Sequence, residues 1–126
     1  MMGYSSIASL LLMLAVVLGA FGAHGLRSHL DANSMGIWEK AVFYHFVHAL
    51  GMLIVTVMGR VAMLTEKSAA RVSQLLILGI LFFSGSLYLL AVSGVRTLGA
   101  VTPLGGLSFI AAWLFLAIQL ARENRK

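Results

Sequence analysis

Four apolar runs alternate with short polar clusters along the chain, at about residues 4–24, 38–62, 73–95 and 103–121. Each holds roughly twenty residues, and at 1.5 Å per residue a helix of that length rises about 30 Å, the thickness of a bilayer's hydrocarbon core. The pattern predicts an all-α fold: a single domain, residues 1–126, forming an integral membrane bundle of four transmembrane helices. The first run is read as a retained span, because no Lys or Arg precedes it and Phe21 spoils the small-residue stop before Ala23. Between the first two runs, GAFGAHGLRSHL (Gly19–Leu30) changes character at His24 and suits a short interfacial helix. The DANSMG stretch that follows is dense in turn formers, with Asn33 or Ser34 as a cap for the second span. Ser68 is placed to cap the third, and Thr102-Pro103 puts a capping hydroxyl directly before a proline at the start of the fourth.

The second run stands apart. From Ala41 to Gly59 it carries nineteen residues without a formal charge, yet two of them are histidines. His45 and His48 share one helical face with Trp38, Ala41, Met52 and Thr56, leaving Phe43, Phe46, Leu50 and Leu53 for other faces. An imidazole facing lipid is costly, so this face is expected to look into the bundle. In the first run, Ala15, Gly19 and Ala23 form a small-residue stripe that permits close helix packing. In the third, Ser84, Gly85, Ser86 and Tyr88 break the apolar run and offer partners for the histidines.

Composition narrows the class further. Hydrophobic residues make up 60% and charged residues only 10%, with a mean hydropathy of +0.98, far from a soluble domain with about a quarter of its residues charged. The absence of cysteine excludes disulfides, thiolate metal sites and a cysteine nucleophile. The net charge of +5 comes from basic residues scattered at the edges of the runs without interleaved aromatics, which fits membrane orientation and not nucleic acid. Six basic residues (Arg60, Lys67, Arg71, Arg122, Arg125, Lys126) fall on the side of the termini and three (Arg27, Lys40, Arg96) on the other, so both termini are expected to be cytoplasmic.

The order GAFGAHGL (Gly19–Leu26), WEKAVFYHFVHAL (Trp38–Leu50), SGSLYLL (Ser84–Leu90) and TPLGG (Thr102–Gly106) resembles the YgdD family of small four-span bacterial inner-membrane proteins, domain of unknown function 423, whose relatives extend to the small eukaryotic transmembrane protein 256. The resemblance covers essentially the whole chain. It implies the fold and a multi-pass location in the bacterial inner membrane, and it supplies no catalytic residue or cofactor.

Candidate chemistry centres on one polar pocket at the outer side, comprising His24, Trp38, Glu39, Tyr44, His45, His48, Ser84, Tyr88, Thr102, Gly105 and Gly106. The histidines could serve a proton, quinone or lipid headgroup, or, with His24, a metal or haem; their plainer role is hydrogen bonding between helices. The start of the fourth span could hold an anion at its amides, against the plainer role of capping and packing on Gly19 or Gly22. Glu39 is expected in an interfacial ion pair with Lys40, and Trp38 and Tyr4 in an aromatic belt. No catalytic residue, metal site or cofactor is assigned. The preferred reading is a non-enzymatic accessory or assembly protein whose partners are the lipid bilayer and another membrane protein or a second copy. A small-ligand binder or transporter (lipid, quinone or proton) using the histidine pocket is the alternative, and a metalloenzyme comes last.

Overall fold

A computed structural model describes residues 3–126, which form helices joined by short turns, with no strand. Four helices are long and apolar enough to cross a membrane. Helix α1 spans Tyr4–Leu26, with a π-helical last turn at Gly22–Leu26; α2 is Ala32–Arg60; α3 is Glu66–Ser93, with a π-helical turn at Ile80–Ser84; and α4 is Thr102–Glu123, preceded by a 3-10 turn, Arg96–Ala100. The linker after α1 is thus the helix's own π turn and a tight reversal over 27–30, and no separate interfacial helix forms.

Local chemistry sets the helix ends. Asp31, and neither Asn33 nor Ser34, caps α2: its Oδ1 accepts from the Ser34 amide at 2.7 Å. That bond holds the Asp31 carboxyl below its ordinary pKa. Thr65 caps α3 by accepting from the Ser68 amide at 3.1 Å, so Ser68 is the capped residue and not the cap. Gly94 closes α3 in the left-handed conformation that glycine adopts without steric cost. At α4 the expected Thr102 cap is absent, because Val101 is already helical and Thr102 lies inside the first turn with its hydroxyl committed elsewhere.

The four helices are unequally enclosed. The buried share of the apolar window is 44% in α2 and 39% in α3, against 17% in α1 and 22% in α4, so α2 and α3 form the centre. α1 packs chiefly on α2, and α4 chiefly on α3. Where lipid replaces water, apolar burial adds little drive to helix association, and close packing with interhelical hydrogen bonds carries it. The core therefore gathers small and flexible groups with one large ring: Ala8, Ala49, Met52, Val55, Leu76 and Ala112 share a cluster with Phe109. On α1 the buried small residues are Ala8, Ala15 and Gly22, two turns apart, and Gly19 touches Val42; Ala23 of the expected stripe is exposed. A Cβ at Gly22 would overlap the Trp38 indole, so this glycine is what admits the indole between α1 and α2.

Candidate functional site

The expected face of α2 is buried. Trp38, Ala41, His45, His48 and Met52 point into the bundle, while Phe43, Phe46 and Leu50 face outward. Its polar members, however, do not share a pocket. The candidate polar residues divide among three groups of contacts, the first joining α1, α2 and α3 and the other two joining α2, α3 and α4.

The first group links α1, α2 and α3. Trp38 Nε1 donates to the Leu18 carbonyl at 3.0 Å, and the indole packs edge-on against Tyr88 with ring centroids 4.7 Å apart. Tyr88 in turn hydrogen-bonds His45 Nδ1 at 2.9 Å through its hydroxyl. Trp38 is accordingly an interior bridge and not a member of an aromatic belt. His45 is only 1% exposed, and its Nε2 is the one buried side-chain polar atom without a hydrogen-bond partner among the described residues.

In the second group α2 meets α3 and α4 through stacked rings. His48 lies on Phe109 with centroids 3.5 Å apart and planes 15° from parallel, and Tyr44 and Trp113 flank it. Its Nδ1 lies 2.7 Å from the Tyr44 carbonyl one turn earlier. A carbonyl can only accept, so Nδ1 carries the proton, and the imidazole is occupied within its own helix. Tyr44 also packs on Phe83, with centroids 4.4 Å apart.

The π turn of α3 organises the third group. By offsetting the backbone it turns Ser84 towards α2, where its hydroxyl donates to the Ala41 carbonyl at 2.8 Å. Ser86 and Thr102 hydroxyls meet at 2.6 Å, tying α3 to the start of α4. A Cβ on Gly105 would overlap the Phe83 backbone, so this glycine exists for close approach to α3, and not to Gly19 or Gly22. Gly106 lies more loosely against the Phe83 ring.

The remaining candidates sit outside. His24 is exposed on the π turn of α1, and Glu39 is exposed and pairs at 3.9 Å with Arg27, not with Lys40. None of the three main cavities is lined by His45 or His48, so the single pocket expected to join them with His24 and Thr102 is replaced by separate interhelical contacts. No three His, Cys, Asp or Glu side chains gather as a metal site among the described residues. Two features escaped the sequence pattern. One is a pair of cross-links from α3 to α4, Ser68 to Gln119 at 3.3 Å and Ser108 to the Leu75 carbonyl at 2.7 Å. The other is a pair of lateral grooves: about 400 Å³ between α1 and α2 beside Gly19, Glu39 and Phe43, and about 550 Å³ between α3 and α4 beside Arg71, Leu78 and Leu114. Contacts and grooves between neighbouring helices leave no periodicity within either segment, so no signal in the sequence marked them.

Residues 18–106 match a family described as protein of unknown function (DUF423), a range that holds all four motifs from GAFGAHGL to TPLGG. The chain is 48% identical to a UPF0382 membrane protein of Staphylococcus haemolyticus, over 90% of each chain. It is 50% identical to one from Staphylococcus epidermidis over 84% of each, and 41% identical to the UPF0382 membrane protein YwdK of Bacillus subtilis, over 87% of this chain and 89% of that one. No solved structure gives a significant match.

Proposed function

The chain belongs to the DUF423 family of membrane proteins, and from that premise we propose that it is a non-enzymatic accessory or assembly protein of the bacterial inner membrane, acting on a partner through its lipid-facing surface. One observation carries this reading. Both histidines at membrane depth are spent on contacts within the bundle, His45 with Tyr88 and His48 with Phe109 and Tyr44, and neither lines any of the three main cavities. What the molecule offers to its surroundings is lateral: the outward faces of α1 and α4.

The test is photo-crosslinking in living cells, with a photoreactive residue at Val16 or Leu107, both more than half exposed. A discrete adduct to another membrane protein supports the reading. Adducts only to lipid or quinone would overturn it in favour of the small-ligand alternative.

The orientation with both termini in the cytoplasm is part of the proposal. It is supported by the gathering of Arg60, Lys67, Arg71, Arg122, Arg125 and Lys126 at the end where α1 begins, against Arg27, Lys40 and Arg96 at the opposite end. Alkaline phosphatase fused to the C-terminus is expected to be inactive; strong activity, which requires export, reverses the orientation.

A further inference from the structure

The α3–α4 groove differs from its counterpart between α1 and α2 in the charge at its mouth. Its walls are mainly apolar side chains, among them Leu75, Leu78, Leu114 and Ile118, and its polar lining is Gln74 and, at the end, Arg71. The face of α3 that carries Arg71 continues one turn outward to Lys67, and the α4 face that carries Leu114 and Ile118 continues one turn outward to Arg122. The Ser68–Gln119 hydrogen bond fixes the register between the two helices. On that register Arg71 lies about 5 Å deeper than Ser68, while Lys67 and Arg122 lie outside it, at 1.5 Å of rise per residue. Three long cationic side chains therefore border the same end of one groove.

None of the three has a carboxylate partner. Among the described residues the ion pairs are Arg27–Glu39 and Lys126–Glu123, and Glu66, at the same end of α3, lines a separate cleft with Arg60. The α1–α2 groove, by contrast, carries its own counter-charge, Glu39 beside Arg27. From Arg71 to Leu78 the groove runs about 10 Å along α3, most of the roughly 15 Å depth of one leaflet. Unpaired cations at headgroup level above an apolar channel one leaflet deep match an amphiphile with an anionic head and a hydrocarbon chain. We propose that the α3–α4 groove is a binding site for an anionic phospholipid, its acyl chain between Leu78 and Leu114 and its phosphate at Arg71, with Lys67 and Arg122 supplying further positive charge.

Because the chain has no cysteine, a fluorescent bimane on Leu114→Cys reports on this groove and one on Phe43→Cys on the other. The labelled full-length chains are reconstituted in phosphatidylcholine vesicles, with brominated phosphatidylglycerol or brominated phosphatidylcholine added as quencher. At Leu114→Cys, phosphatidylglycerol is expected to reach half-maximal quenching at a mole fraction about fivefold lower than phosphatidylcholine, the effect of one basic side chain at an anionic surface. The preference should vanish in Lys67→Gln/Arg71→Gln/Arg122→Gln, three exposed positions whose change leaves the core intact, and should be absent at Phe43→Cys. Equal quenching by both lipids, a preference that survives the triple substitution, or the same preference at Phe43→Cys would each overturn the proposal. Quenching by neither lipid at Leu114→Cys would overturn it too, by showing that no acyl chain enters the groove.

Discussion

His45 and His48 lie one turn apart on the same buried face of α2, yet they are held by different forces. His45 is held by direction. It meets the Tyr88 hydroxyl at 2.9 Å, and through Tyr88 it joins the Trp38 bridge to α1. His48 is held by area: its ring lies flat on Phe109, and its one hydrogen bond stays within α2. A histidine in a membrane bundle can thus serve as a hydrogen-bonding group or as an aromatic plate, and its neighbour across the interface decides which.

The largest effect expected from this contrast is at Phe109. Phe109→Ala removes the plate under His48 and opens a cavity in the core, costing about 3 kcal/mol in detergent unfolding. A loss below about 1 kcal/mol would mean that the stack contributes little.

Exchanging each histidine for phenylalanine separates the two roles directly. His48→Phe keeps a ring on Phe109 and should cost under about 1.5 kcal/mol, as volume-conserving core changes do. His45→Phe strands the half-buried Tyr88 hydroxyl and should cost about 1–3 kcal/mol. If the order of the two losses is reversed in thermal unfolding, the contrast fails.

A smaller effect sharpens the contrast. In a double-mutant cycle with Tyr88→Phe, His45→Phe should show a coupling of about 0.6 kcal/mol, typical of hydrogen bonds between membrane helices. The same cycle with His48→Phe should show none, since His48 is not among the hydrogen-bond partners of Tyr88. Smallest of all is a matter of one proton. Nitrogen NMR should find His48 protonated at Nδ1, facing the Tyr44 carbonyl, and the Nε2-protonated form would remove the intrahelical bond from the account.

Much of this molecule was legible in its sequence. Hydropathy marked four spans, and the spacing of Trp38, Ala41, His45, His48 and Met52 marked the buried face of α2, because helical periodicity is a property of one segment alone. Helix starts were harder to read. Hydropathy finds the stretch that needs lipid, while Asp31 and Thr65 begin their helices before that stretch, in polar turns. The family, too, followed from the order of short motifs along the chain.

What only the tertiary structure decided is which group meets which. Tyr88 could face either histidine, Thr102 could cap its own helix or bond Ser86, and Gly105 could pack on α1 or on α3. These alternatives have the same local sequence cost. They are separated by the rotation of each helix about its axis and its register against its neighbours, which arise from the packing of all four at once. The π turn at Ile80–Ser84 illustrates the reason: one extra residue in a turn offsets the faces of α3 before and after it, which a fixed 3.6-residue period does not anticipate.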